Sequence, residues 1–200
     1  MLRLGFLASH NGASMRAIVQ AIEAGDLDAQ AAVAISNNAD AAALDFAREH
    51  GLRVEHISKT TSGSDEAADA AIRAALSDAG ADMAVLSGYL RMVGPLTLER
   101  FRGRILNVHP ALLPKYGGRG MYGRFVHEAV LAAKDTVSGA SVHVVDEVYD
   151  HGPVIGQKTV PVHPDDTAET LAARVVAIEG GLFVETLRQI AARGGVVLPG

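Results

Sequence analysis

The sequence predicts an α/β fold whose sheet is doubly wound and mainly parallel, with an antiparallel addition near its C-terminal end. Short apolar runs alternate with helical patterns through the first half of the chain, as in successive βα units. The first apolar run is nearly continuous, as expected of a strand buried on both faces. The last two strand-like runs are joined by a short polar loop, which favours antiparallel pairing.

Size and composition narrow the classes of function. With 200 residues, 48% of them apolar, the chain is expected to form a single domain over residues 1–200. The net charge of −5 and the absence of a Lys/Arg run argue against nucleic acid or a membrane surface as partner, and favour small-molecule substrates. The lack of cysteine excludes disulfides and cysteine nucleophiles. No signal peptide or membrane span is expected, so a cytoplasmic protein is predicted. The sequence leaves open whether it is a monomer or a homodimer.

The first strand is expected over residues 2–9, and a helix follows it after a tight turn. In that turn, Gly12 permits close approach of the backbone and Ser14 is the expected helix cap. The free N–H groups of the first helical turn form a candidate phosphate site, with a plain connecting turn as the alternative. The pattern G-x-G-x-x-G and the Walker lysine are both absent, which argues against a nicotinamide or ATP enzyme.

Three more strands are expected before the centre of the chain. They cover residues 31–36, 53–57 and 83–86, with a polar loop over residues 59–64 and a helix over 65–79. The segment that follows the fourth strand is apolar and lies between two glycines. At the carboxyl end of a strand, such a segment either lines a pocket for a flat ring or packs beneath the next helix.

The stretch from Ile105 to Pro114 is the centre of the predicted site. Its pattern is typical of a buried strand that ends at Pro110, which has no N–H to donate. Alternation along a strand places Asn107 and His109 on the same face. Together they supply a hydrogen-bond donor for a developing oxyanion and a proton shuttle. The alternative is that both side chains only satisfy local hydrogen bonds.

The remaining elements complete the sheet. A glycine-rich loop over residues 115–123 is expected to face substrate. A helix over residues 125–133 carries His127, which is expected to be solvated. Strands are expected at 142–145 and 154–162.

Asp150 lies in the loop between the last two strands, where it is either a plain turn residue or a functional acid. The chain then forms a long amphipathic helix over residues 167–193, capped by Thr167. The pair Gly180-Gly181 is a candidate break in this helix, and the last few residues are expected to be a short tail.

Two segments resemble the signatures of the folate-dependent formyltransferases: Asn-Val-His-Pro-Ala-Leu-Leu-Pro at 107–114 and Asp-His-Gly-Pro-Val-Ile at 150–155. Residues 86–91, 115–118 and 177–179 follow in family order, and the resemblance is greatest to the group that acts on phosphoribosylglycinamide. It implies a Rossmann-like domain that works without a metal. It also implies transfer of a formyl group from 10-formyltetrahydrofolate to the amine of 5-phosphoribosylglycinamide, a step of purine synthesis, through a tetrahedral intermediate.

The resemblance also implies roles for individual residues. His109 would be the proton shuttle, Asn107 the donor to the oxyanion, and Asp150 the carboxylate that raises the pKa of the histidine. The folate would lie against the loop that follows the fourth strand and against the side-chain amide of the central strand; these residues are Leu90, Arg91, Met92, Val93 and Asn107. The acceptor substrate would contact residues from four segments, namely Asn11, Gly12, Ala13, Ser14, Gly88, Pro110 and Glu179. Of these, residues 11–14 would hold the phosphate and Glu179 would meet the glycinamide.

Two departures from the family pattern bear on the ligands. Ala13-Ser14 stand where the family usually has Ser-Asn or Thr-Asn, and Asp65 stands where an arginine usually helps to hold the folate. The first departure keeps another primary amine, such as an amino sugar nucleotide, open as the acceptor. A catalytically silent ligand-binding domain is a further alternative. A metal hydrolase is another alternative. It is disfavoured because its candidate residues do not have the spacing of a known metal-binding motif; they are His109, His127, His143 and Asp150.

Overall fold

Seven strands form one mixed sheet in the computed structural model, which describes residues 1–195. They are β1 (Leu2–Ala8), β2 (Ala29–Ser36), β3 (Arg53–His56), β4 (Met83–Leu86), β5 (Ile105–His109), β6 (Val137–Val144) and β7 (Val154–Pro161). Their order in the sheet is β3-β2-β1-β4-β5-β6-β7. Strands β1 to β5 pair in parallel, whereas β6 is antiparallel to both β5 and β7. The predicted fold class is confirmed; the predicted tail, residues 196–200, lies outside the described residues.

Helices cover both faces of this sheet. They are α1 (Ala13–Glu23), α2 (Ala42–Glu49), α3 (Lys59–Ser62), α4 (Asp65–Asp78), α5 (Pro95–Arg100), α6 (Arg124–Ala132) and α7 (Ala168–Arg193). One core cluster joins the sheet to α1, α2, α6 and α7, and the second joins it to α4. No helix within residues 1–195 has the length and apolar character needed to cross a membrane.

Strand β1 illustrates why the apolar runs are nearly continuous. Leu4 and Phe6 lie in the first core cluster, whereas Leu7 lies in the second, on the opposite face. All three side chains are at most 1% exposed. Burial of each stabilises the fold by about 1.5–3 kcal/mol, so both faces of the strand must be apolar.

Three sequence-based expectations at element ends are wrong. Helix α1 begins after Gly12 without a side-chain cap, and Ser14 lies buried within its first turn. The predicted polar loop contains the single-turn helix α3, which Ser58 and Thr61 stabilise by reciprocal capping hydrogen bonds. Strand β6 begins at Val137, earlier than expected, because residues 137–140 pair with residues 158–161 of β7.

Two expectations within helices are also wrong. His127 is only 2% exposed, because it shares the inward face of α6 with Val126 and Val130. Helix α7 continues unbroken through its two glycines. A Cβ at Gly180 would lie 2.7 Å from the Ala17 side chain, so this glycine serves the close packing of α7 on α1. The expected cap, Thr167, is confirmed.

Candidate active site

A cleft of about 840 Å³ opens beyond the carboxyl ends of β1, β4 and β5, the edge at which α/β sheets commonly bind ligands. Every residue predicted as part of the site lines this cleft: Asn11, Gly12, Ala13, Ser14, Gly88, Leu90, Arg91, Met92, Val93, Asn107, His109, Pro110, Asp150 and Glu179. The tertiary structure therefore brings together segments that are far apart in the chain.

The N-terminus of α1 forms one end of the cleft. Gly12 adopts a φ of +66°, and a Cβ there would lie 3.0 Å from the Cβ of Ala43, so this turn requires glycine. The Met15 N–H donates to the Ser87 hydroxyl at 2.9 Å. The N–H groups of Ala13 and Ser14 come earlier in the first turn, have no intrahelical partner, and are available to an anion.

The loop after β4 forms an apolar wall of the cleft. Leu90 and Met92 are 65% and 55% exposed and line the cleft, so they offer a small apolar surface to a ligand bound there. Both ends of the loop are fixed. Ser9 accepts a hydrogen bond from the Leu90 N–H at 2.8 Å, and the buried Asp69 accepts one from the Leu96 N–H, also at 2.8 Å.

The strand β5 and the loop after β6 bring the three predicted catalytic side chains together. His109 Nδ1 lies 3.4 Å from Asp150 Oδ2. His143 lies opposite Asn107 in the antiparallel register of β5 and β6, and its Nε2 is 3.2 Å from Asn107 Nδ2 and 3.5 Å from Asp150 Oδ1. The Gly118 N–H donates to Asp150 Oδ2 at 3.1 Å. The amide, both imidazoles and the carboxylate therefore form one connected group.

The protonation of this group differs from the expectation. Burial lowers the pKa of His109 below its ordinary value, and the opposing effects of Asp150 and of the Tyr116 carbonyl only partly offset it. Burial also acts to raise the pKa of Asp150. The hydrogen bond with His143 and the charge of His109 outweigh burial there, so the pKa of Asp150 is lowered. Asp150 raises the pKa of the histidine as expected, but burial has the larger effect, so the pKa of His109 is lowered overall.

Glu179 lies in the cleft wall on α7, the helix that packs on α1. Burial raises the pKa of this carboxyl to about 7. A carboxyl that titrates near neutral pH inside a cleft is a good candidate to receive a polar or cationic ligand group, because such a group would restore the solvation lost on burial.

Several parts of the site carry no signal in the sequence. His143 was expected only as a candidate metal ligand, because its contact with Asn107 depends on the register between β5 and β6. Tyr116 had no expected role, but its carbonyl accepts a hydrogen bond from His109 Nε2 at 2.7 Å. Among residues 1–195, no three His, Cys, Asp or Glu side chains are grouped in a way that could hold a metal ion.

Comparison with known proteins identifies close relatives. A family profile described as formyl transferase matches residues 2–187. The chain is 35% identical to the chloroplastic phosphoribosylglycinamide formyltransferase of Vigna unguiculata, covering 94% of this chain but only 60% of the relative. The corresponding Arabidopsis thaliana enzyme is covered to 65%. The chain thus spans less than two thirds of the length of these plant relatives.

Bacterial relatives match over most of their length. The phosphoribosylglycinamide formyltransferase of Haemophilus influenzae is 35% identical, covering 87% of this chain and 80% of the relative. Among solved structures, glycinamide ribonucleotide transformylase 1 from Symbiobacterium toebii superposes with a TM-score of 0.91 at 36% identity, covering 100% of this chain and 92% of that one. Similarity of both sequence and fold therefore extends across the cleft.

Proposed function

This chain belongs to the formyl transferase family, and from that premise we propose that it transfers a formyl group from 10-formyltetrahydrofolate to the amine of 5-phosphoribosylglycinamide. The observation that carries the proposal is the convergence of Asn107, His109 and Asp150 in one cleft. That cleft has the N-terminus of α1 at one end, whose N–H groups suit an anion, and an apolar loop along its wall. A phosphorylated amine and a co-substrate with a flat ring suit these two regions.

The transfer requires a proton to leave the nitrogen of the acceptor amine and a proton to reach the folate nitrogen. The acceptor amine attacks the formyl carbon, and the carbonyl oxygen becomes an oxyanion in a tetrahedral intermediate. Asn107 Nδ2 lies 3.2 Å from His143 Nε2 and has two N–H groups, one of which is the proposed donor to the oxyanion. The bond between the formyl carbon and the folate nitrogen then breaks, and that nitrogen takes up a proton.

His109 is the proposed carrier of this proton. The Tyr116 carbonyl only accepts hydrogen bonds, so Nε2 must carry a hydrogen and Nδ1 is the basic nitrogen of the neutral ring. A lowered pKa keeps the ring neutral and ready to accept a proton at neutral pH. The proton arrives on the side that faces Asp150, whose negative charge stabilises the imidazolium.

The departure at Ala13-Ser14 is compatible with phosphate binding. The cradle at the start of α1 consists of backbone N–H groups, and these remain when the side chains change. Across the cleft, Glu179 is proposed to meet the amine-bearing part of the acceptor.

The proposal is tested by assaying the purified protein with 10-formyltetrahydrofolate and each candidate acceptor. We expect turnover with 5-phosphoribosylglycinamide, and turnover only with an amino sugar nucleotide would refute the proposal. Replacing His109 by asparagine should lower kcat by about 10²- to 10⁴-fold. The matched control is His56→Asn, which makes the same change at an exposed position outside the cleft and should leave kcat unaltered.

A further inference from the structure

Three left-handed backbone positions lie in or near the segments that contact His109 and Asp150. Within residues 1–195, the residues other than glycine that have a positive φ are Tyr116 at 57°, Lys134 at 56° and Asp150 at 55°. Each such conformation costs about 1–3 kcal/mol and persists only where surrounding contacts impose it. Asp150 is the carboxylate proposed to stabilise the imidazolium, Tyr116 contacts His109 through its carbonyl, and Lys134 is further away, next to Asp135.

The segment from Lys115 to Gly118 touches both catalytic groups. The Tyr116 carbonyl accepts the hydrogen of His109 Nε2 at 2.7 Å, and two residues later the Gly118 N–H donates to Asp150 at 3.1 Å. The left-handed backbone at Tyr116 therefore lies between these two contacts. A shift in this segment would alter which nitrogen of His109 is protonated.

Asp135 anchors this segment from the far side. Its carboxylate accepts the Tyr116 hydroxyl at 2.7 Å, and both of its oxygens bind the Lys115 ammonium, at 2.8 and 2.6 Å. The Tyr116 ring packs on the core, and the Lys115 ammonium lies 5.1 Å from the ring centroid. Asp135 itself is outside the cleft, so it acts on His109 only through these neighbours.

The end of helix α6 determines where Asp135 points. The Lys134 N–H donates to the Leu131 carbonyl at 3.0 Å, and the Asp135 N–H donates to the Val130 carbonyl at 3.3 Å. These two hydrogen bonds, together with the left-handed backbone of Lys134 just after the helix, are a common way for a helix to end. The strain at Lys134 thus turns the chain so that Asp135 reaches the segment that holds His109.

We propose that Asp135 is a positioning residue: by holding Tyr116 and Lys115, it keeps the Tyr116 carbonyl on His109 Nε2 and reserves Nδ1 for proton transfer. The inference rests on the proposed role of His109 in formyl transfer. Hydrogen bonds from Lys115 and Tyr116 lower the pKa of Asp135, so the anchor stays charged at neutral pH. The ionisable groups near His109 are Asp150, His143 and His127, and none of them contacts Asp135.

The test combines kinetics with nitrogen NMR of histidine-labelled protein. Asp135→Ala and Tyr116→Phe should each lower kcat by about 10- to 100-fold, with both KM values within about twofold, because the proton carrier is misplaced while the binding surfaces stay intact. Asp135→Asn, which keeps an acceptor for the hydroxyl, should lose less. The control is Glu128→Gln, which breaks an exposed ion pair on α6 outside the cleft.

The NMR measurement separates this inference from the proposed function. The chain has eight histidines, and the His109 resonances are assigned by their loss in His109→Asn. In the unaltered protein we expect the neutral ring to carry its hydrogen on Nε2. In Asp135→Ala we expect a mixture of the two neutral forms and a further fall in the pKa of His109, since the Tyr116 carbonyl favours the charged ring. An unchanged tautomer in both Asp135→Ala and Tyr116→Phe would overturn the inference, whichever acceptor the enzyme uses.

Discussion

Replacing Glu179 by glutamine should stabilise the protein in a pH-dependent way. Burial raises the pKa of this carboxyl from 4.5 to about 7 in the folded protein. Below pH 4.5 the carboxyl is protonated in both the folded and the unfolded state and has no effect. Between pH 4.5 and 7 the unfolded chain releases its proton first, so the folded protein loses stability as the pH rises; above pH 7 the loss is complete.

The size of the effect follows from the shift in pKa. At about 1.36 kcal/mol per unit, the shift corresponds to roughly 3 kcal/mol. Because Glu179 lines an open cleft and keeps some solvent contact, we expect about 2 kcal/mol. Glutamine is neutral at every pH and avoids this penalty. The variant should therefore match the unaltered protein at pH 4.5 and exceed it by about 2 kcal/mol at pH 8.

Urea unfolding at pH 4.5, 6 and 8 measures this difference. The matched control is Glu185→Gln, which makes the same change at an exposed position on the same helix, outside the cleft. A constant difference for Glu179→Gln, or a variant that is less stable at pH 8, would refute the reasoning. The same variant should bind the acceptor more weakly, since a strained site often trades stability for function.

Two other variants test the contacts around the cleft. Asp150 favours the charged form of His109, so Asp150→Asn should lower the pKa of His109. The acid limb of the pH profile of kcat/KM should then move to lower pH, and kcat should fall about 10²-fold. An acid limb that stays in place would contradict the role given to Asp150. Asp69 is 5% exposed and accepts hydrogen bonds from the Leu96 N–H and from the N–H and hydroxyl of Thr97. Asp69→Ala should therefore lower the free energy of unfolding, measured in urea, by about 3 kcal/mol and raise the KM for the folate. Asp69→Asn should cost less, and a loss below about 1 kcal/mol in Asp69→Ala would contradict the role given to this carboxylate.

Sequence patterns located most strands because the alternation of apolar residues is a local property. Strand β4 was predicted with its observed bounds, and β5 ends at His109 just before Pro110, as expected. The patterns failed where tertiary contacts decide the outcome. His127 is buried because α6 turns it inward, and the first residues of β6 are strand because β7 pairs with them.

The order of amino acids alone indicated which polar groups emerge at the ends of buried strands, and hence that Asn107 and His109 belong to one site. Their electrostatics could not be obtained in that way. The lowered pKa of His109, its hydrogen bond to Tyr116 and the pairing of Asn107 with His143 depend on burial and on strand register. Both are properties of chain segments packed against each other, so they exist only once the fold has closed around them.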